Sequence, residues 1–242
     1  MEVLDQFDEG GSAKVAKVMY ESELVALKTG KRGWTQNRAF EYEADMMAKV
    51  DGAGGAPRIL ALAVDRPAMI MSYLPYPSLD HAMKRGQITS HHQILQIFKN
   101  AASSLKAVHE AGVVHCDIKA DNILVDPTSN ETYVIDFGFA AVIGDVCPFF
   151  PKRTIEDHAK FPFYDPVMYT GGEATPSTDV YSLGFMISEL YQVLIEDEVI
   201  TDPLPEVLKL SEQMTDFEPE KRPSMEAVIH ILQGFINTLP NQ

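Results

Sequence analysis

Two short stretches contain most of the residues that could do chemistry. The first, from His115 to Asn122, reads HCDIKADN, and the second is Asp136-Phe137-Gly138. At fixed offsets they supply two carboxylates, a lysine and an asparagine. One carboxylate can accept the proton of an attacking hydroxyl, the lysine can neutralise a phosphoryl group in transfer, and the amide and second carboxylate can hold a metal ion. Magnesium-dependent phosphoryl transfer from ATP needs this set of groups.

Together with the run VALK at positions 25–28, these stretches resemble the motifs of the eukaryotic protein kinase family, and the resemblance covers nearly the whole chain. It implies that Asp117 is the catalytic base and that Lys119 neutralises the transferring phosphoryl group. Asn122 and Asp136 would hold Mg²⁺. The alternative, a polar loop followed by an unrelated Asp-Phe-Gly, requires all of these offsets to coincide by chance.

The resemblance also implies an ion pair that prepares the nucleotide site. Lys28 would contact the α- and β-phosphates of ATP, and Glu43 would pair with Lys28 from a helix. Glu43 is preferred to Glu41 and Asp45 because Met47 then falls at an apolar position of the family helix. Glu41 is the second choice.

The glycine-rich loop that should cover the phosphates departs from the family pattern G-x-G-x-x-G-x-V. Counted back from Val15, its glycine positions hold Asp8, Gly10 and Ala13, with Gly11 added beside the middle one. Backbone amides around Gly10 and Gly11 could still cover phosphates. The missing glycines predict weak affinity for ATP, and Gly10-Gly11 alone would indicate only a turn.

The resemblance places the adenine pocket at apolar positions and at the hinge between lobes. It assigns the faces of the base to Val15, Ala26 and Leu124, the gatekeeper to Met71, and backbone hydrogen bonds to Ser72 and Leu74. Ordinary core packing explains each of these positions equally well.

Three further roles follow from the same resemblance. A stack that joins the lobes would consist of His115, Phe137, Met47 and Leu62, so His115 is expected to be a buried structural histidine. Asp179 would cap the backbone of the catalytic loop from a buried helix. A plain helix N-cap is the alternative function of Asp179.

One departure from the family pattern lies directly before the catalytic acid. Cys116 replaces an arginine that binds a phosphorylated activation segment, the residues 136–167 that begin with the second acid. Without that cation, phosphate-driven ordering loses its main partner. The sequence therefore predicts activity that does not require phosphorylation, for example at Thr154. At this position alone the chain is similar to the dual-specificity tyrosine-regulated kinases.

A second departure lies at the end of the activation segment. The family's Ala-Pro-Glu is replaced by Asp165-Pro166-Val167, and the arginine that pairs with the missing glutamate matches Arg222. An unpaired buried arginine is costly. Asp165 and Glu173 are both candidate partners for Arg222, and the altered peptide platform makes substrate class harder to predict than catalysis.

The elements that must position these residues divide at Pro75-Tyr76-Pro77. Alternation and turn signals predict strands at 15–20, 23–28, 59–64 and 68–74, and apolar spacing predicts a helix over 39–50. Beyond residue 75 the pattern is mainly helical. The expected fold is α+β and bilobal, with a small β-rich N-lobe (1–74) that contains one main helix and a larger, mainly helical C-lobe (75–242).

Composition narrows the function classes. The chain has 242 residues, 45% of them hydrophobic and 23% charged, as in ordinary globular proteins. The net charge of −15 argues against nucleic-acid binding; it favours steering of basic protein substrates, or it serves solubility alone. No long apolar run, basic leader or cysteine framework is present. The expected location is therefore intracellular, with the cytoplasm as default and the nucleus not excluded.

These observations predict a protein kinase that uses ATP and Mg²⁺ to phosphorylate serine or threonine in protein substrates. Lys119, two residues after Asp117, favours serine and threonine over tyrosine. Two alternatives stay open: a pseudokinase that acts as a binding module, favoured by the altered glycine loop, and a small-molecule kinase on a related fold. The sequence gives no indication of oligomeric state.

Overall fold

The structure is a computed structural model, and it describes residues 2–8, 13–30, 37–63, 67–151 and 154–239. Its first part is a five-stranded antiparallel sheet with the strand order β1-β2-β3-β5-β4. The strands are β1 (Glu2–Asp8), β2 (Ala13–Tyr20), β3 (Glu23–Gly30), β4 (Ile59–Ala63) and β5 (Ala68–Ser72). Helix α1 (Asn37–Val50) lies between β3 and β4 in the chain.

The β2–β3 hairpin follows from its two turn residues. Glu21 and Ser22 both have positive φ, 48° and 70°. Two consecutive left-handed residues match the right-handed twist of paired strands. The hairpin keeps one register along its length, and this places Lys28 opposite Val15.

The remaining chain is mainly helical. Its helices are α2 (Leu79–Lys84), α3 (His91–Glu110), α4 (Pro166–Tyr169), α5 (Pro176–Glu196), α6 (Pro205–Met214) and α7 (Met225–Thr238). Two short antiparallel pairs, β6 (Val113–Val114) with β9 (Ala141–Val142) and β7 (Ile123–Val125) with β8 (Thr132–Val134), complete it. Helix α5 is buried on several sides, and α3, α5, α6 and α7 share one apolar cluster with α1 and β5.

This architecture confirms the predicted α+β bilobal fold. The predicted strands and the helix are found with ends that differ by a few residues. The elements that were not predicted are β1, β7, β9, α2, α4 and α6. The proposed lobe boundary falls between β5 and α2, and its exact position stays a prediction. Among the described residues, no helix combines the length and apolarity that a membrane crossing requires.

One predicted core position is wrong. Leu62 is 41% exposed and lies outside the apolar cluster, whereas Ile59 on the same strand packs against that cluster. The pairing of β4 with β5 shifts register between Ile59 and Ala61. Because side chains alternate between the faces of a strand, a shift of one residue reverses which side chain faces inward.

Candidate active site

The catalytic loop, residues 115–122, connects two short strand pairs. It begins after β6 and ends at β7, so β9 and β8 hold its two ends. The Ile135 N–H donates to the carbonyl of Asn122 at 3.0 Å, which brings the chain before Asp136 against the end of the loop. This pairing explains how two acids 19 residues apart in the sequence reach one site.

Asp117 is buried at the centre of the loop with two side-chain donors. Its Oδ2 accepts from Lys119 Nζ at 2.8 Å and from Asn122 Nδ2 at 2.9 Å. Within the described residues, its Oδ1 is buried and has no hydrogen-bond partner. A buried carboxylate oxygen without a donor is costly and rare in a protein interior. Asp117 therefore has one oxygen available for the hydroxyl of a substrate.

His115 is a structural residue, as its environment shows. Its Nε2 lies 2.9 Å from the carbonyl of Ile135, and its Nδ1 accepts from the Asp117 N–H at 3.3 Å. A carbonyl can only accept, so Nε2 carries the proton and the ring is in one neutral tautomer. The ring also contacts Phe137 edge-on, with centroids 5.0 Å apart.

Asp179 on α5 binds the backbone of the catalytic loop. Its carboxylate is fully buried and accepts from the N–H groups of His115 and Cys116, both at 2.8 Å, and from His109 Nε2 at 2.8 Å. Burial acts to raise the pKa of Asp179, but the hydrogen bond and charge of His109 outweigh burial and lower the pKa. These bonds also hold Cys116 at a φ of 64°, a conformation that non-glycine residues rarely adopt.

Lys28 joins the sheet, α1 and the second acid. Its Nζ lies 2.5 Å from Glu43 Oε1 and 3.0 Å from Asp136 Oδ1. Burial acts to lower the pKa of Lys28, but the two carboxylates outweigh it and raise this pKa. The same pairing lowers the pKa of Asp136 to about 2, against the opposing effect of desolvation. Glu41 and Asp45, the other acids considered, are exposed.

Three of the proposed nucleotide positions lie on β3, which carries Lys28, or on its two neighbouring strands. Val15, Ala26 and Met71 belong to one apolar cluster, with Ala26 opposite Met71 across β3 and β5, whereas Leu124 on β7 is only partly buried. The Ser72 N–H already donates to the carbonyl of Arg58 at 2.9 Å, so a bond from Ser72 to a base would need its carbonyl.

Of the remaining proposed nucleotide positions, the structure describes Leu74 but not Gly10 or Gly11. Leu74 is the second residue after β5, in the chain between the sheet and α2. Gly10 and Gly11, the proposed phosphate-covering residues, lie outside the described residues.

The donor set fits a magnesium ion. Asp136 has a carboxylate that is 47% exposed, and Asn122 is adjacent to the chain that leads into it. Mg²⁺ is bound by few protein oxygens and completes its octahedron with water and phosphate oxygens. Among the described residues no group of three or more histidine, cysteine or acidic side chains forms a metal cluster, and a phosphate-bridged ion does not need one.

A groove lies beside the catalytic loop on the α5 side. Its volume is about 350 Å³, and Lys119 is part of its wall. Its apolar lining includes Phe163 of the activation segment. Its acidic lining consists of Asp80, Asp121 and Glu189. Sequence reasoning did not single out these three acids, although Asp121 lies within the catalytic run.

The partner of Arg222 is Asp165. The guanidinium binds both carboxylate oxygens, with Nη1–Oδ2 at 2.6 Å and Nη2–Oδ1 at 3.0 Å, and both side chains are at most 1% exposed. Arg222 also donates to the carbonyls of Asp216 and Ser177 and lies over the ring of Tyr181. Asp165, the residue before the proline, therefore supplies the carboxylate that the glutamate of Ala-Pro-Glu would provide.

A comparison with known protein families agrees with this geometry. The family model described as "Protein kinase domain" matches residues 1–232. This chain belongs to the protein kinase family. The kinase fold explains why the Lys28–Glu43 pair, the catalytic loop and Asp136 converge at one place between the sheet and the helices.

Curated relatives include kinases of different specificity. A "Probable serine/threonine-protein kinase" of Streptomyces coelicolor is 24% identical over 91% of this chain and 34% of its own length. Serine/threonine-protein kinase PknA of Mycobacterium tuberculosis is 31% identical over 48% of this chain and 26% of its length. Tyrosine-protein kinase Src64B of Drosophila melanogaster is 26% identical over 87% and 42%. The chain spans less than half the length of these relatives.

Proposed function

We propose that this chain is an active kinase that transfers the γ-phosphoryl group of ATP to serine or threonine hydroxyls of protein substrates. The observation that supports this most strongly is the unpaired buried Oδ1 of Asp117, with Lys119 and Asn122 on the other oxygen. A carboxylate held in this way can orient a hydroxyl and accept its proton. The side chain needs no rearrangement to do so.

The other site residues would bind the phosphates of ATP and the metal ion. Lys119, beside Asp117, neutralises negative charge on the transferring group. Lys28 holds phosphate oxygens and is itself held by Glu43 on α1. Asn122 and Asp136 would hold Mg²⁺, which supplies charge neutralisation along the phosphates when it is bound.

The pseudokinase alternative has less support. It is favoured by the altered glycine pattern around Gly10 and Gly11, whereas the assembled pairs of Lys28 with Glu43 and of Lys119 with Asp117 count against it. A small-molecule kinase is less favoured, because the buried Asp179 helix and the Arg222 segment resemble protein kinases. A screen of peptides against small metabolites separates these two enzyme classes.

The decisive experiment measures transfer from labelled ATP with Mg²⁺ to a generic basic protein. Asp117→Asn should lower the rate by about 10²- to 10⁴-fold, the contribution that general base catalysis makes. Asp202→Asn, at an exposed position between α5 and α6, is the matched control and should keep full activity. ATP binding by folded wild type without any transfer would establish the pseudokinase instead.

Serine and threonine are proposed over tyrosine because Lys119 lies two residues after Asp117, close enough to bond its carboxylate. Relatives of both specificities are similar to this chain, so the assignment needs its own test. Phosphoamino-acid analysis of the labelled acceptor should find phosphoserine or phosphothreonine. Phosphotyrosine alone would contradict the assignment.

The acidic lining of the groove beside the catalytic loop favours basic substrates. Asp80, Asp121 and Glu189 place negative charge next to Lys119, where a peptide would lie if its hydroxyl reached Asp117. We expect Glu189→Gln to raise KM for an arginine-containing peptide about tenfold, equivalent to about 1.4 kcal/mol. KM for a neutral peptide should be unchanged. Glu196→Gln, at an exposed position at the end of the same helix, is the control, and equal effects on both peptides would refute the assignment.

A further inference from the structure

The two cysteines of the chain lie together, although 31 positions separate them in the sequence. Cys116 is in the catalytic loop directly before Asp117, and Cys147 is in the activation segment. Pairing of β6 with β9 brings the two segments side by side, and a turn at Gly144, with φ of 89°, redirects the chain before Cys147. Both side chains pack in one buried apolar cluster, close enough for each thiol to shift the pKa of the other. Each S–H donates to a backbone carbonyl, that of Cys116 to Val114 at 3.6 Å and that of Cys147 to Phe139 at 2.7 Å.

Both thiols are reduced and enclosed. Cys116 is completely buried, Cys147 is 8% exposed, and both belong to one apolar cluster with Tyr164. The neighbouring Val146 is 51% exposed, so Cys147 lies just below the surface. We expect a molecule the size of water to reach Cys147 from this side, whereas a second protein chain would need local opening of the fold to reach either sulfur.

The surroundings give the two sulfurs different chemistry. Interaction with the Cys116 thiol lowers the pKa of Cys147, and the N–H groups of Phe149 and Phe150 act in the same direction against the effect of burial. The same interaction raises the pKa of Cys116, together with burial and the charge of Asp179. Thiolates are the reactive form of cysteine. Cys147, which is also the more exposed of the two, is thus the sulfur that reacts first, and the completely buried Cys116 is the partner that resolves the product.

We propose that Cys116 and Cys147 are an oxidation site that closes to an intramolecular disulfide under peroxide. The Cys147 thiolate attacks one oxygen of H₂O₂, the O–O bond breaks, and the leaving hydroxide takes a proton to become water. The Cys116 sulfur then attacks the Cys147 sulfenic acid, and the S–O bond breaks. The hydroxide that leaves takes the Cys116 proton as a second water, so two thiols are oxidised and one peroxide is reduced.

The disulfide would tie the activation segment to the catalytic loop. Because both cysteines already lie in one buried cluster beside the β6–β9 pairing, closure should require little movement of the backbone and should fix the segment in the arrangement seen here. Cys116 occupies the position where the family resemblance places a phosphate-binding arginine. Oxidation would therefore order this segment by a covalent bond at the place where other kinases use a phosphate.

The test treats the reduced 242-residue chain with a series of H₂O₂ concentrations and then alkylates the remaining thiols. Mass spectrometry should show both thiols lost together, a cross-linked peptide pair containing Cys116 and Cys147, and full recovery with dithiothreitol. The unfolding temperature should rise by about 5 °C or more on oxidation. Protease cleavage between residues 143 and 165 should slow. Loss of one thiol only, an interchain dimer, or loss only after unfolding would each overturn the proposal.

Cys116→Ser separates the two steps. Without a resolving thiol, Cys147 should stop at the sulfenic acid and accept one dimedone label, whereas oxidised wild type should accept none. A labelled wild type would contradict the assigned order. If the variant does not fold, the peptide mapping of wild type still decides the question. None of these readouts measures phosphate transfer, so their failure leaves the proposed kinase activity unaffected.

Discussion

The catalytic loop and the activation segment preserve the kinase arrangement by different means. In the loop the family's catalytic residue types are kept although Cys116 replaces the arginine, and Asp117 and His115 both have hydrogen-bond partners. In the activation segment the residue types change, but one contact is rebuilt: Asp165 pairs with Arg222 in place of the missing glutamate. A departure from a motif therefore means a lost contact only where no neighbouring residue can supply the same group.

The largest expected effect comes from removing the anchor of the catalytic loop. Asp179→Ala should lower the free energy of unfolding by about 4 kcal/mol, because it leaves the N–H groups of His115 and Cys116 and the His109 ring without their acceptor. Urea unfolding at pH 7 measures this loss. Ser182→Ala on the same buried helix is the matched control and should be nearly neutral, since the Ser182 hydroxyl has no partner among the described residues.

The difference in stability between wild type and Asp179→Ala should depend on pH. The pKa of Asp179 is lower in the folded chain than its ordinary value, so its contribution is complete above about pH 4 and is lost as pH falls further. The difference in unfolding free energy between wild type and Asp179→Ala should shrink as pH falls from about 4 to the lowest pH at which wild type stays folded. A difference that stays constant over this range would contradict the assigned shift.

A smaller loss of stability is expected when the Asp165–Arg222 pair is broken. Asp165→Ala should lower the free energy of unfolding by about 3 kcal/mol, because it leaves the buried charge of Arg222 without its carboxylate. The loss should lie at the low end of the range for buried pairs, since two carbonyls still accept from the guanidinium. Denaturant unfolding provides the measurement.

A double variant tests whether the cost comes from the unpaired charge. Asp165→Leu with Arg222→Met removes both charges and should recover part of the stability that Asp165→Ala loses. If the single variant were as stable as wild type, the Asp165–Arg222 pair would not be the replacement for the family contact.

The sequence predicted much of the site because its chemistry is encoded in local spacing. The run 115–122 places Asp117, Lys119 and Asn122 within one loop, where their contacts follow from short offsets. The family resemblance implied the Lys28–Glu43 contact, and Glu43 was preferred to Glu41 because Met47 then falls at an apolar position of the family helix.

The rest depended on long-range packing that no local pattern contains. Asp165 and Glu173 were equal candidates for Arg222, because the choice is made by the path of the chain between α4 and α5. Leu62 was misplaced because a register shift in β4 cannot be read from alternation. Likewise, the proximity of Cys116 and Cys147 arises from the β6–β9 pairing, which only the folded chain shows.

The smallest effect on phosphate transfer is expected at Thr154 in the activation segment. This position tests whether the segment needs a phosphate although Cys116 replaces the arginine of the catalytic loop. Thr154 is exposed, and it is its backbone N–H that donates to Asp157 Oδ2, at 3.1 Å. Thr154→Ala keeps that N–H, and Cys116 offers no positive charge to a phosphate. Phosphate transfer should therefore stay within about twofold of wild type, and Thr154→Glu should not raise it. Loss of transfer in a folded Thr154→Ala protein would show that the segment depends on phosphorylation despite Cys116, and that another cation has replaced the arginine.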